Sequence, residues 1–88
     1  MYPQTAQAQA QAASADSLLQ RIAECESASE PAAVCATGRY RGKYQFDRAT
    51  WRRLGGTAGP PAAPEADQDA MAATLFAQAG TVPWPSCA

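Results

Sequence analysis

The 88-residue chain contains no histidine. Imidazole is the usual base beside serine and cysteine nucleophiles and the commonest zinc ligand. The three cysteines, Cys25, Cys35 and Cys87, include no Cys-x-x-Cys pair, which is the spacing typical of zinc and thioredoxin-like sites. These absences exclude histidine-dependent nucleophilic catalysis and argue against a metal site. We expect neither a metal nor another cofactor.

The chain also lacks a long apolar segment. No stretch is long enough to span a membrane, and the N-terminus has no hydrophobic signal core. Three cysteines in so small a chain nevertheless indicate one disulfide in an oxidising compartment, plus an odd thiol. We therefore expect either that a leader has been removed or that export follows another route, such as inside a virus particle.

A strong overall charge is absent as well, since the formal net charge is −1. This balance argues against bulk nucleic-acid binding, and we expect no nucleic-acid partner. Six of the seven basic residues nevertheless lie between residues 39 and 53, where Asp47 is the only acid. The stretch is either a solvated surface or a cationic rim that attracts a polyanionic substrate, with a nucleic-acid or anionic-surface contact as a third, weaker interpretation.

Large apolar residues are few, but they are sufficient for one compact helical core and predict a single domain. Residues 1–15 are dominated by alanine and glutamine and have almost nothing to bury. We expect a low-complexity tail over residues 1–15, flexible or weakly helical alone, and a domain over residues 16–88. Binding to a partner protein or a particle would be one way to order the tail.

Helix signals divide the domain into three helices. Ser17 and Gln20 have the spacing of a capping box, and Pro31 stops the first helix. Asp47 is a credible N-cap for the second helix, and Gly80 stops the third. The predicted helices begin near residues 17, 48 and 65 and end at about residues 30, 54 and 79. Residues 37–46 alternate aromatic and basic types with two glycines and predict an irregular hairpin, while residues 82–87 predict an extended tail.

Five short motifs follow one another in an informative order. They are Leu-Gln-Arg-Ile-Ala-Glu-Cys-Glu-Ser over residues 19–27, Thr37-Gly38 with Tyr40 and Gly42, Gln45-Phe46, Thr50-Trp51, and the closing Trp84-Pro85-Ser86-Cys87. In this order and spacing the chain resembles the resuscitation-promoting-factor, or transglycosylase-like, domain family of the lysozyme-like superfamily. The resemblance covers about residues 17–88.

This resemblance implies a fold, a disulfide bond and an activity. The implied fold is α+β but mainly α, a small lysozyme-like domain of about three helices with a short hairpin. The implied disulfide joins Cys25 to Cys87. The implied activity is cleavage of the peptidoglycan glycan strand by a lytic transglycosylase or muramidase, in which Glu26, directly after Cys25, is the catalytic residue. Such an enzyme works outside the cell, at the cell wall, or as part of a virion.

The residues themselves give Glu26 a chemical reason for this role. Helical spacing places Glu26 with Leu19 and Ile22 at the margin of the apolar stripe. Burial against apolar groups disfavours the charged carboxylate and keeps a general acid protonated. An ion pair with Arg21 or with the basic stretch would lower the pKa instead, and the alternative interpretation is a surface glutamate.

A glycan site needs flat aromatic faces for sugar rings and amide or hydroxyl groups for N-acetyl arms. Phe46 is favoured as core, whereas Trp51 and Trp84 fit either core or cleft. Asp47 is the only candidate for a second catalytic carboxylate, but its N-cap role is favoured. A single carboxylate fits a lytic transglycosylase, and hydrolysis with a distant base is the alternative. The candidate substrate-binding residues are Thr37, Tyr40, Tyr44, Gln45, Thr50, Trp51 and Trp84.

Three positions depart from the family pattern. Ala28-Ser29-Glu30-Pro31 replaces the usual two glycines, asparagine and tryptophan, which predicts a rebuilt wall of the cleft. Thr81 stands where a tryptophan is usual. Cys35 has no counterpart in the family pattern. It is either a free thiol, a competing partner for Cys25 or a disulfide link to another chain. The rebuilt segment after Ser27, together with the lack of a hydrophobic signal core and the Ala/Gln tail, supports a runner-up function, a catalytically weak or inactive structural or binding module such as a virion or tail component.

Overall fold

The domain is mainly helical, as the sequence predicts. A computed structural model describes the backbone of residues 6–88 and the side chains of residues 15–88. In chain order it contains α1 (Ala6–Ser27), α2 (Arg48–Arg53), a short 3-10 helix (Pro60–Ala62) and α3 (Glu65–Ala79). The expected hairpin between α1 and α2 forms no strands within the described residues. Two isolated antiparallel bridges, Val34 with Arg41 and Arg41 with Phe46, hold it together.

The first helix begins at Ala6, so the predicted start near Ser17 is wrong. Alanine and glutamine are good helix formers, and no glycine or proline interrupts residues 6–27. Ser17 and Gln20 therefore lie inside α1 and do not form a capping box. Residues 1–5 of the expected tail lie outside the described residues, and the division of the chain at residue 15 stays a prediction.

The end of α1 agrees with the stop signal of Pro31. The helix ends at Ser27, and Ala28 and Ser29 then adopt left-handed conformations with φ of 54° and 60°. The Ser29 amide donates to the Ala23 carbonyl, 3.1 Å away, which closes the last turn. Glycine adopts this conformation freely, whereas a residue with a Cβ loses roughly 1–2 kcal/mol. Ala28 and Ser29 therefore hold a strained turn at the end of α1.

The core lies where α1, the hairpin, α2, α3 and the C-terminal tail meet. The prediction that Phe46 is a core residue is confirmed, because only 3% of its surface is exposed. Its ring lies 5.2 Å from that of Trp51, so the hairpin and α2 share one aromatic cluster. The buried apolar residues are Leu19, Ile22, Ala23, Tyr44, Phe46, Trp51, Ala72, Leu75 and Trp84.

Local signals also placed α2 and α3 correctly. The Asp47 carboxylate accepts a hydrogen bond from the Thr50 amide at 2.7 Å, which confirms the predicted N-cap. Leu54 caps the other end of α2. Gly80 ends α3 with φ of 61°, as predicted for a helix stop.

Gln68 is a fully buried polar residue that the sequence patterns did not single out. Its Oε1 accepts from the Lys43 amide at 2.8 Å, and its Nε2 donates to the carbonyls of Pro31 and Ala63, each at 3.1 Å. Replacing Gln68 with leucine keeps the volume but leaves these three backbone groups unpaired. We expect the free energy of unfolding to fall by roughly 2–4 kcal/mol, measured by urea unfolding.

Gln78→Leu is the matched control for this prediction. Gln78 lies on the same helix, but its side chain is exposed. We expect this change to alter stability by less than about 0.5 kcal/mol. Equal effects of the two substitutions would show that the Gln68 hydrogen bonds do not stabilise the loops that they join.

Candidate active site

The carboxyl group of Glu26 lies in the last turn of α1, partly covered by protein. The neighbouring Cys25 forms a disulfide with Cys87, with the two Cα atoms 5.6 Å apart, as the resemblance implied. This bond brings the C-terminal tail against the end of α1. The tail is not extended as predicted: its backbone makes consecutive turns, in which the Trp84 amide donates to Thr81 and the Ala88 amide donates to Trp84.

A groove runs from Glu26 across the surface of the hairpin. Its first part has a volume of about 250 Å³ and lies between α1, the hairpin and the tail. Its second part adds about 100 Å³ and reaches Asp47, Thr50 and Trp84. Both parts share Tyr40, Gln45 and Pro83, so we describe them together as the Glu26 groove. The first part is lined by Glu26, Tyr40, Gln45, Pro83, Pro85 and Ser86.

Burial raises the pKa of the Glu26 carboxyl above its ordinary value of 4.5. The ion pair with Arg21 or the basic stretch, considered above as an alternative, is not formed. Among the residues with described side chains, both ion pairs are made by Lys43, with Glu65 and Asp69. Glu26 therefore has the environment that a general acid requires, a carboxyl that keeps its proton more readily than one in water.

Ser27 completes the Cys-Glu-Ser triplet and fixes the end of α1 to the hairpin. Its hydroxyl donates to the Lys43 carbonyl at 2.6 Å and accepts from the Glu30 amide at 3.1 Å. Lys43 lies between Tyr40 and Gln45 in the sequence, so this contact sets the position of the hairpin relative to Glu26. Ser27 is thus a positioning residue for the groove.

Gln45 projects into the groove from a left-handed backbone conformation, with φ of 53°. Its Nε2 donates to the Gly42 carbonyl at 2.9 Å, which fixes the orientation of the amide. The amide oxygen is left to accept a hydrogen bond from a ligand. Non-glycine residues in this conformation store strain and are concentrated at functional sites.

Four of the predicted substrate-binding residues are brought together. Tyr40 and Gln45 line both parts of the groove, and Thr50 and Trp84 line the second part. Tyr40 is 39% exposed, so its ring is accessible to a ligand. Trp84 is buried, and its Nε1 donates to the Tyr44 carbonyl at 3.1 Å, so it supports the groove from the core side. Trp84 is thus a core residue that also borders the groove, and its contact with a substrate stays a prediction.

Three predicted residues lie outside the Glu26 groove. Tyr44 is only 3% exposed, and its hydroxyl donates to Asp69 at 2.8 Å on another side of the hairpin. Trp51 is a core residue whose Nε1 donates to the Ala58 carbonyl. Thr37 accepts from the Arg39 amide within its own turn. Packing and turn formation occupy these three side chains, and their contact with a substrate stays a prediction.

The structure shows where the residues that depart from the family pattern lie. Residues 28–31 do not line the Glu26 groove, so the expected rebuilt wall is instead a rebuilt helix end. Cys35 is a free thiol and does not compete for Cys25. The Thr37 hydroxyl and the Tyr40 amide, at 3.3 and 3.2 Å from its sulfur, lower the pKa of Cys35 to about 7. A link between chains through Cys35 stays a prediction.

The tail residues Pro83, Pro85 and Ser86 were not predicted as part of the site. Prolines carry no obvious chemical signal, and these three lie about 60 positions from Glu26 in the sequence. The available signal was the implied pairing of Cys25 with Cys87, which requires the residues before Cys87 to pass beside Glu26. Disulfide pairing thus identifies a wall of the groove that local patterns do not reveal.

Comparison with known proteins identifies the family of the chain. The profile of the transglycosylase-like domain matches residues 12–87, which include α2, α3 and both ends of the groove. The chain belongs to the transglycosylase-like domain family. This membership confirms the resemblance drawn from the five motifs.

Several curated proteins are similar to this transglycosylase-like domain. Resuscitation-promoting factor RpfC of Mycobacterium tuberculosis is 41% identical over 66 residues, which cover 75% of this chain and 46% of that protein. Probable transglycosylase SceD 3 of Staphylococcus saprophyticus is 40% identical over 73 residues, covering 78% and 31%. Resuscitation-promoting factor RpfD of M. tuberculosis is 38% identical over 66 residues, covering 75% and 42%. The chain therefore spans less than half the length of these relatives.

Two kinds of feature are absent from the described residues. No described helix combines the length and apolar character needed to cross a membrane. Within the same residues, no group of three or more cysteine, aspartate or glutamate side chains is arranged to hold a metal ion.

Proposed function

We propose that this domain cleaves the glycan strand of peptidoglycan as a lytic transglycosylase, with Glu26 as the general acid. The observation that carries the proposal is a partly buried carboxyl of raised pKa at the end of a groove lined by Tyr40 and Gln45. Family membership and the names of SceD 3 and the resuscitation-promoting factors support it. The disulfide supports work outside the cell, at the cell wall.

The proposed reaction moves one proton out of Glu26 and one back. The neutral carboxyl protonates the glycosidic oxygen as its bond to the anomeric carbon breaks. The 6-hydroxyl of the same sugar then bonds to that carbon and returns its proton to the Glu26 carboxylate. The products are a shortened strand and a 1,6-anhydro sugar, and no water is consumed. One carboxyl is enough for this cycle.

The groove offers the contacts that an N-acetyl sugar requires. Tyr40 presents an accessible ring on which a sugar can stack. Gln45 presents an amide oxygen that can accept from the N–H of an N-acetyl group. Thr50 supplies a hydroxyl in the second part of the groove. These residues are the proposed substrate contacts, and their combination favours a glycan over a peptide as the ligand.

Digestion of purified peptidoglycan tests the proposed function. We expect soluble fragments whose masses identify 1,6-anhydro ends, each lighter by one water than the corresponding hydrolysis product. Fragments with reducing ends would show hydrolysis and overturn the transglycosylase assignment. Absence of any cleavage, with binding retained, would instead favour the structural or binding module, including a virion component.

Asp47 distinguishes the single-acid reaction from one that uses two carboxylates. Its carboxylate borders the groove, and the hydrogen bond from the Thr50 amide lowers its pKa, so it is ionised. Serine also caps helices well. We expect Asp47→Ser to retain stability within about 0.5 kcal/mol and activity within about threefold, measured by unfolding and by fragment release.

Asp47→Ala provides the matching control, since it removes both the cap and the charge. We expect it to lower the free energy of unfolding by about 1 kcal/mol. A folded Asp47→Ser variant that lost cleavage by about 100-fold or more would make Asp47 a second catalytic carboxylate.

A further inference from the structure

A second cavity is lined by four arginines. It has a volume of about 290 Å³. Its lining also includes the core residues Phe46 and Trp51 and the loop residue Gly59. We call it the arginine pocket. The arginines that line it are Arg39, Arg41, Arg48 and Arg52.

No acidic side chain lines the arginine pocket, although the chain has eight acids. The ion pairs formed by described side chains involve Lys43 and none of the four arginines. Arg48 and Arg52 are four residues apart on α2, so their like charges lie on one face and repel. The nearby Asp47 carboxylate accepts from the Thr50 amide and borders the Glu26 groove instead. Four arginines thus line a cavity whose wall contains no acidic side chain, although the Asp47 carboxylate lies close enough to Arg39 for that charge to lower its pKa.

The arginine pocket adjoins the proposed substrate groove. Phe46 lines both the pocket and the second part of the groove. The Arg39 guanidinium lies 5.3 Å from the centre of the Tyr40 ring, which lines the groove. Arg41 is held in place by a hydrogen bond of 3.0 Å from its Nε to the Gly38 carbonyl. A group attached to a ligand in the groove can therefore reach guanidinium groups that are already partly oriented.

We propose that the arginine pocket binds carboxylates of the peptides that branch from the glycan strand. This proposal rests on the proposed function, because it assumes that the strand occupies the Glu26 groove. Guanidinium groups bind carboxylates through two parallel hydrogen bonds, which favours arginine over lysine at such sites. The domain thereby selects strands that still carry their peptides over bare glycan.

The test measures binding to insoluble peptidoglycan by co-sedimentation, with every protein carrying Glu26→Gln so that the strand stays intact. We expect Arg48→Gln/Arg52→Gln to weaken binding by about tenfold at low ionic strength. The difference should shrink as salt screens the charges. Arg53→Gln is the matched control, since Arg53 lies on α2 but does not line the pocket, and it should bind like the parent. Arg48→Lys/Arg52→Lys, which keeps the charge but loses the paired hydrogen bonds, should bind more weakly than the parent and more tightly than the double glutamine variant.

Two chemical treatments of the peptidoglycan identify the anion. On strands whose peptides have been removed with an amidase, we expect the double glutamine variant and its parent to bind equally. Removing phosphate-containing wall polymers with hydrofluoric acid should leave the tenfold difference unchanged. The proposal is overturned if folded variants bind intact material equally, if the difference persists without peptides, or if it disappears with the phosphate polymers. Binding is read without turnover, so a failure of the proposed cleavage appears only in digestion by the native chain.

Discussion

Replacing Glu26 with glutamine is expected to reduce release of peptidoglycan fragments by at least about 100-fold while the domain stays folded. Glutamine fills the same volume but has no proton to give to the glycosidic oxygen. The carboxyl also has no described ion pair whose loss would disturb the fold, since burial alone raises its pKa. The measurement is the initial rate of fragment release by the native chain and by the variant, with unfolding curves recorded for both.

Glu24→Gln is the matched control. Glu24 lies two residues earlier on α1 and is exposed, and its carboxylate accepts a hydrogen bond from the Ser29 hydroxyl that a glutamine oxygen can also accept. We expect its activity to stay within about twofold of the native rate. A Glu26→Gln variant that cleaves at the native rate would remove Glu26 from the reaction.

Removing the disulfide is expected to have the largest effect on stability. The bond between Cys25 and Cys87 closes a loop with a sequence separation of 62. In the chain-entropy description, opening a loop of this length lowers the free energy of unfolding by about 4 kcal/mol. Small domains have total stabilities of only about 5 kcal/mol or slightly more. We therefore expect Cys25→Ser/Cys87→Ser to be largely unfolded at moderate urea concentrations, as reported by the fluorescence of the buried Trp51 and Trp84.

Cys35→Ser is the control for this experiment, because Cys35 is free. We expect its unfolding midpoint to match that of the native chain, and a reducing agent to lower the midpoint of both to that of the double variant. Activity should fall along with stability, since the disulfide holds Pro83, Pro85 and Ser86 beside Glu26. A double variant as stable as the native chain would show that packing alone holds the tail.

Features decided by neighbouring residues could be predicted from the sequence. Asp47 caps α2 because its short carboxylate reaches an amide three residues ahead. Gly80 ends α3 because it can adopt a positive φ. The start of α1 could not be placed, since the alanine and glutamine run has no stop signal and Ser17 has the sequence spacing of a cap without being one. The position of Glu26 beside apolar residues followed from helical spacing, which is regular over short distances.

The sequence could not decide which aromatic residues of the hairpin enter the groove. Tyr40 and Tyr44 would share a face in a regular strand, where side chains alternate. Gly42 lies between them and has a positive φ, which breaks the alternation. Tyr40 therefore lines the groove while Tyr44 contacts Asp69 on another side. The side of the hairpin on which each tyrosine lies depends on long-range packing, including the hydrogen bond between Gln68 and the Lys43 amide. Local sequence patterns do not predict such contacts.

The acid role of Glu26 also predicts the direction of the pH dependence. Glu26 donates its proton only when it is neutral, so the rate should fall by about tenfold per pH unit above its pKa. Folding raises the pKa of Glu26, so the protonated carboxyl favours the folded state. This stabilisation is fully present at a pH below the pKa of the unfolded chain. It is lost as the pH rises through the pKa of the folded protein. The free energy of unfolding of Glu26→Gln should not show this dependence on pH.

Titration of the Glu26 carboxyl by carbon-13 NMR, alongside the pH profile of kcat/KM for the same protein, tests these expectations together. We expect the Glu26 side-chain carbon to titrate above 4.5, and the alkaline limb of the activity profile to have the same midpoint. A Glu26 carboxyl that titrates at or below 4.5, in a protein whose activity persists at higher pH, would contradict the assignment of Glu26 as the proton donor.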